Sequence, residues 1–158
     1  MSKKSFSVYV RHKIPAFNKV IKVDSDKSLS IRSFLISSIS QGISYLSNVL
    51  ESEDVNHTIA SCRKLGVKIV KMKSGSYKVF GNGLGSLNIK KNSELNFGNS
   101  GTASRLILGI LSTTPNIEVR VKGDQSLNKR SMKALIELLS KFGATFLPKR
   151  KFNFPFKI

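Results

Sequence analysis

The sequence predicts an α+β fold assembled from α/β-type repeats, and two observations carry that expectation. First, residues 98–105 read Gly-Asn-Ser-Gly-Thr-Ala-Ser-Arg and run straight into the apolar stretch Leu106–Leu111. An earlier segment, Ser25-Asp26-Lys27-Ser28-Leu29-Ser30-Ile31-Arg32, leads in the same way into Phe34-Leu35-Ile36. Second, Arg32 and Arg105 stand 73 positions apart, while Gly66 and Gly143, each closing an amphipathic run, stand 77 apart. A nearly constant offset marks two copies of one supersecondary unit. Each copy reads as loop, helix, strand, helix, strand, strand, which packs helices on one side of small sheets.

Taken in order, Phe6–Tyr9 and Ala16–Val23 have strand composition. Leu29–Gln41 reads as a helix with Ser28 as its N-cap and Gly42 past its end. Ser44–Asn48 is a short strand. Ser52–Leu65 is a helix: Ser52 caps it, Glu53 and Asp54 suit its positive end, and Arg63, Lys64 and Gly66 suit its close. Val67–Lys73 and Tyr77–Gly81 form a hairpin through Ser74-Gly75. In the second copy Leu87–Ile89 is a short strand and Thr102–Leu111 a helix broken by Thr113-Thr114-Pro115-Asn116. Ile117–Lys122 alternates as a strand, Leu127–Phe142 reads as one helix after the turn Gly123–Ser126, and Ala144–Leu147 begins another hairpin. The final run, Phe152-Asn153-Phe154-Pro155-Phe156-Lys157-Ile158, is apolar and stops without turn or cap. Its phenylalanines are expected to form an uncovered apolar face beside an open sheet edge.

Bulk properties narrow the class. With 158 residues, 40% of them hydrophobic, the chain can bury a real core. No run approaches the ~18 apolar residues of a membrane span. The basic start Met1-Ser2-Lys3-Lys4-Ser5 lacks the apolar segment of a secretory signal. A single cysteine, Cys62, excludes an internal disulfide, so a cytoplasmic setting is expected. The net charge of +18, from 27 basic against 9 acidic residues, raises nucleic acid as a partner. Yet the lysines are scattered, the longest basic run is Lys149-Arg150-Lys151, and the aromatics are mostly Phe at apolar positions. A stacking platform needs aromatics interleaved with cations. The charge therefore reads as solvated surface, part of which gathers small anions into a cleft, with no specific nucleic-acid partner and no membrane partner.

The two small-residue loops carry the chemistry. A loop that opens a helix aims free backbone N–H groups and the positive end of the helix dipole at whatever lies in front of it. Two of them suggest a unit that holds phosphate or carboxylate. Three motifs then resemble those of the 5-enolpyruvylshikimate-3-phosphate synthase family. Asp26-Lys27-Ser28-Leu29-Ser30-Ile31-Arg32 matches the core of its Pro-Gly-Asp-Lys-Ser-x-Ser-x-Arg loop. Residues 98–105 match Gly-Asn-x-Gly-Thr-x-x-Arg in full. Gly123-Asp124-Gln125-Ser126-Leu127-Asn128-Lys129-Arg130 matches Gly-Asp-x-Ser-Leu-x-x-Arg. Asp24 and Ser25 replace the usual Pro-Gly, Ile31 stands where His is common, and Ser131 replaces Pro.

That resemblance implies β-α-β-α-β-β repeats of the enolpyruvyl transferase fold, with about two repeats present. Residues 1–20 would be strands belonging to the family's other domain. Residues 21–158 would be a partial N-terminal domain, with repeat one at about 21–85 and an incomplete repeat two at about 86–158. It implies transfer of the enolpyruvyl group of phosphoenolpyruvate to the 5-hydroxyl of shikimate 3-phosphate, releasing phosphate, in aromatic amino acid biosynthesis. That reaction takes two small anionic substrates and needs no metal or cofactor. The family is usually monomeric. Lys27 would be the catalytic residue and touch both substrates. Ser28 and Arg32 would hold shikimate 3-phosphate, and Asn99, Gly101 and Arg130 would serve phosphoenolpyruvate. The family's later Ser-Ser/Ala-Gln loop and acidic general base have no counterpart here, so the chain resembles an N-terminal fragment, expected to be inactive alone.

Read without the resemblance, Arg32 is a helix-surface cation. Arg130, placed at a helix start, opposes the dipole and is harder to explain structurally. Arg105 is read as ligand-facing or structural, the structural reading being preferred, His12 and His57 as surface residues without metal-ligand spacing, and Cys62 as packing. Asn56-His57-Thr58 fits a glycosylation pattern that a cytoplasmic chain would not use. The alternatives are a UDP-N-acetylglucosamine enolpyruvyl transferase, which shares the repeat fold, or a non-catalytic basic fragment that binds anions or nucleic acid.

Overall fold

The computed structural model describes residues 7–9, 11–13, 16, 18, 20, 21 and 23–158. The order of elements is α1 (Lys27–Ile39), β1 (Gln41–Leu46), α2 (Glu53–Lys64), β2 (Lys68–Lys73) and β3 (Ser76–Asn82), then β4 (Glu94–Asn96), α3 (Gly101–Ser112), β5 (Arg120–Lys122), α4 (Gln125–Asn128), α5 (Lys133–Lys141) and β6 (Phe156–Lys157). No described helix is long and apolar enough to cross a membrane.

The duplication is visible in the hydrogen bonds. The first sheet has order β1-β3-β2, with both pairs antiparallel. The second has order β4-β5-β6, and Leu147 bridges Lys157 on the far side of β6. Thus β5, β6 and Leu147 repeat β1, β3 and β2, and β4 adds a strand parallel to β5. The Gly-terminated helices repeat bond for bond. Gly66 and Val67 donate to Arg63 and Cys62, and Gly143 and Ala144 donate to Ser140 and Leu139. Both glycines have left-handed φ, +87° and +98°. This is a helix close in which the glycine reverses the chain without a Cβ penalty.

Several local expectations are corrected. The described residues of 6–9 and 16–23 form no strand, and Phe6 itself lies outside the described residues. The N-cap of α1 is Asp26, whose carboxylate accepts from the Leu29 amide at 2.6 Å, so Ser28 is helical. Ser52 caps α2 by position, but its hydroxyl makes no cap bond. Leu87–Ile89 is not a strand. The strand falls at Glu94–Asn96, while the Asn88 amide donates to Leu65. The single helix expected over 127–142 is broken into α4 and α5. In the break, the Met132 amide donates to Phe152 at 2.7 Å and the Asn153 side chain donates to Lys129 at 3.1 Å. Contacts from the C-terminal segment replace the helical ones.

One hydrophobic core runs through both repeats. On α1 it takes Ile31, Phe34 and Leu35, at the i, i+3, i+4 spacing of a buried stripe. Phe34 meets Tyr77 edge-on, with ring centroids 5.1 Å apart. The terminal phenylalanines do not form the uncovered face expected of them. Phe154 and Phe156 are buried, stacked at 4.8 Å, and Phe156 also meets Phe146.

Glu51 fastens the β2–β3 hairpin. Its carboxylate accepts from Lys71 Nζ at 2.9 Å, from the Gly75 amide at 3.0 Å and from the Tyr77 hydroxyl at 2.8 Å. The Lys71 bond first, then those from Gly75 and Tyr77, bring its pKa from 4.5 down to about 2. A carboxylate with a depressed folded-state pKa stabilises fully above its unfolded value and loses that contribution as pH falls through the folded one. The melting temperature should therefore decline between about pH 5 and pH 2, and Glu51→Gln should flatten part of that decline. Equal acid sensitivity in the variant would show that the hairpin is not tied by this charge.

Candidate functional site

Both loops open a helix, as the sequence suggested, although the first is capped by Asp26 and not by Ser28. In α1 the Asp26 carbonyl and carboxylate take the amides of Ser30 and Leu29. In α3 the cap is Ser100, whose carbonyl takes the Ser104 amide and whose hydroxyl takes that of Ala103 at 3.2 Å. The first two amides of each helix, Lys27 and Ser28 in one and Gly101 and Thr102 in the other, have no acceptor among the described residues. They are free to meet an anion.

The side chains gather at the second loop. An open cavity of about 340 Å³ is lined by Lys27, Asn99, Gly101 and Arg130, together with Asp54, Thr102 and Arg105. Lys27 Nζ lies 2.8 Å from Asp54 Oδ2, which fixes the ammonium at the rim. Arg130 Nη2 donates to Asn99 Oδ1 at 2.7 Å, and Arg105 Nη1 donates to the Gly101 carbonyl at 3.3 Å. A Cβ placed on Gly101 would lie 3.0 Å from both Arg105 Nη1 and Arg130 Nη1. The glycine is thus the floor between two guanidinium groups. Among the described residues three cations face one carboxylate, and the planar forks suit carboxylate or phosphate.

Larger clefts of about 570 and 580 Å³ lie along α5 and beside Pro148. Neither is lined by the opening residues of a helix, so the convergence of amides and cations, not volume, marks the site.

Four of the six residues named from sequence meet here: Lys27, Asn99, Gly101 and Arg130. Ser28 and Arg32 do not line this cavity. They sit one turn apart on α1, Ser28 half-buried and Arg32 exposed. Arg130 does not open a helix. It follows the close of α4 at Lys129, with its amide donating to Leu127.

Sequence reasoning missed Asp54 and Thr102 and preferred a structural reading of Arg105. Arg105 carried a signal: it stands four residues after Gly101, hence on the same helix face. The spacing of Arg32 and Arg105 misled. The caps Asp26 and Ser100 are 74 apart, not 73, so Arg105 is five residues beyond its cap and Arg32 six. One residue is about 100° of helix rotation, which sends the two arginines in different directions. Asp54 read only as a helix-end acid.

Of the remaining residues, Cys62 is buried as expected, and burial pushes its thiol up to about 11. His57 is not a plain surface residue. It is half-buried against Gly98.

Known proteins resemble this chain over most of its length. The family model described as EPSP synthase (3-phosphoshikimate 1-carboxyvinyltransferase) matches residues 12–158. A 3-phosphoshikimate 1-carboxyvinyltransferase from Leptospira interrogans is 40% identical over 130 residues, covering 82% of this chain and 29% of the relative. One from Oceanobacillus iheyensis is 42% identical over 135 residues, covering 85% of this chain and 30% of the relative. The solved EPSP synthase from Acinetobacter baumannii superposes with a TM-score of 0.79 at 34% identity, covering 87% of this chain and 31% of that one. The chain therefore spans about 30% of the length of the curated relatives it matches. With the motifs, the duplicated architecture and these matches in agreement, the chain belongs to the EPSP synthase (3-phosphoshikimate 1-carboxyvinyltransferase) family.

Proposed function

We propose that this chain supplies part of the anion-binding cleft for enolpyruvyl transfer from phosphoenolpyruvate to shikimate 3-phosphate. The observation that carries the reading is the convergence of Lys27, Arg105 and Arg130 on the free amides of Gly101 and Thr102. In the transfer, the 5-hydroxyl adds to the vinyl carbon that bears the phosphate, and a proton is delivered to the methylene carbon. Phosphate then leaves the tetrahedral adduct as the new methyl carbon gives up a proton, and the proton released by the 5-hydroxyl balances the one taken up by the methylene. Fixed positive charge and backbone donors stabilise such polyanionic species without reorganising.

Within this reading Gly101, Asn99 and Arg130 receive phosphoenolpyruvate, and Arg105 joins them. Lys27, steadied by Asp54, reaches both substrates as the catalytic cation. Ser28 and Arg32 meet shikimate 3-phosphate on the adjoining face of α1. The protein acts in the cytoplasm as a monomer without a specific nucleic-acid or membrane partner. The names of the relatives support the shikimate substrate over a UDP-sugar.

Among the described residues lining the cavity the one carboxylate, Asp54, is engaged with Lys27, so none of them offers a free carboxylate base. The 158-residue chain should bind phosphoenolpyruvate in a calorimetric titration yet release no phosphate when shikimate 3-phosphate is added. Absence of binding would remove this reading, and turnover would show a proton-transfer group that the cavity lacks.

Gly101→Ala separates ligand contact from loop geometry. Gly101 is the first residue of α3 and is not left-handed, so alanine suits its backbone. The new methyl meets only the mobile ends of Arg105 and Arg130. Stability should hold or rise by up to about 1 kcal/mol. Phosphoenolpyruvate affinity should fall, and that of shikimate 3-phosphate should change less. Equal losses for both ligands would mean that the glycine serves the loop.

A further inference from the structure

Helix α2 reaches both anion loops. Asp54 and His57 stand three positions apart and so share a face. Asp54 holds Lys27 at the start of α1. The His57 ring, 29% exposed, lies against Gly98, where the α3 loop begins. A Cβ on Gly98 would overlap His57 Cδ2 and Nε2 and lie 3.2 Å from Cε1. Gly98 is left-handed at φ +54°, its amide donates to Asn96 Oδ1 at 3.0 Å, and its carbonyl accepts from the Asp124 amide at 2.8 Å. Among the described residues no hydrogen bond joins residues 24–28 directly to residues 97–102. The separation between the Lys27 ammonium and the Gly101 and Thr102 amides is therefore set by packing, of α1 against α3 and of both loops against α2.

We propose that His57 is a positioning residue: its imidazole is the wall against which the Gly98–Gly101 loop is set, so that α2 holds the two anion loops in register through Asp54 and His57. The inference deepens the reading of this cleft as an anion site and rests on it for function. The ring acts by shape. Among the described residues the acidic side chain beside it is Glu53, 3.9 Å from Nε2 and mostly exposed. A flat ring fits because the backbone at Gly98 offers no side chain, and close-packed contacts of this kind transmit displacement instead of absorbing it.

The test uses the whole chain with His57→Ala and His57→Phe. The first readout needs no ligand: hydrogen exchange of the Ser100 and Ala103 amides, which donate to Phe97 and to the Ser100 hydroxyl. The second is the Kd for inorganic phosphate. His57→Ala should speed exchange at those two amides about tenfold relative to the β2–β3 hairpin, and weaken phosphate by about tenfold. His57→Phe, flat and of similar size, should restore both. Gly98→Ala should cost less in the His57→Ala background than alone, because the ring it strikes is gone. Exchange within twofold of the native rate at Ser100 and Ala103 would overturn the proposal, as would a uniform rise over every element. If the loop responds but native protein does not bind phosphate, the functional reading of the cleft fails while the hold of His57 on the loop stands.

Discussion

Arg130→Ala should weaken phosphoenolpyruvate binding about 30-fold, equivalent to about 2 kcal/mol for hydrogen bonds to a charged group. The guanidinium sits beyond the close of α4, is exposed, and is held by Asn99 on the rim of the cavity. Its removal leaves Asn99 Oδ1 to solvent but disturbs no core contact, so the melting temperature should stay within about 2 °C. Arg130→Lys should recover only part of the affinity, because an ammonium cannot reproduce the planar fork. Asn99→Ala should show a smaller loss of the same kind, since it frees the fork without deleting it. Calorimetry on the three variants decides the matter. Native affinity in Arg130→Ala would make Arg130 a surface cation and shift the weight of the site to Arg105 and Lys27.

A different substitution should produce the largest loss of stability. Gly81, in the central strand β3, passes so close to the end of α1 that a Cβ would run into the backbone carbonyl oxygens of Ser37 and Ser40. Backbone cannot swing aside as a side chain can. The next turn is anchored to the same place, with the Gly83 amide donating to Ser40 at 2.9 Å. Gly81→Ala should therefore separate helix from sheet, at a cost of about 2–3 kcal/mol and a melting temperature lower by about 4–10 °C. Gly109 supplies the control. It lies inside α3 with no atom within 4 Å of its missing Cβ. Gly109→Ala should stabilise by about 0.5–1 kcal/mol, because alanine costs less entropy in a helix. Similar melting temperatures for both variants would show that β3 is free to move away from α1.

What the linear sequence determined by itself was local or periodic. The loop motifs located both helix starts to within two residues, because free amides and cap residues lie within four positions of one another, although the first cap is Asp26 and not Ser28. The left-handed closes at Gly66 and Gly143 were legible for the same reason. The β2–β3 hairpin was legible because its turn residues stand between its strands. Tertiary structure decided what depends on distant partners. The parallel pairing of β4 with β5 joins strands separated by α3, so Glu94–Asn96 carried too little pattern to be read as a strand. The apolar period runs on through 127–142, yet Phe152 and Asn153 satisfy the backbone of the break and the helix stops. The last phenylalanines read as uncovered because a partner of Phe154, Phe97, comes from the far end of the repeat, just before the α3 loop, with ring centroids 6.0 Å apart. At the site, motif residues were visible one by one, but Asp54 joins Lys27 only because α1 and α2 pack together. The place of Arg105 at the cavity turned on a single residue of offset from its cap, a rotation of about 100° that spacing between motifs does not encode.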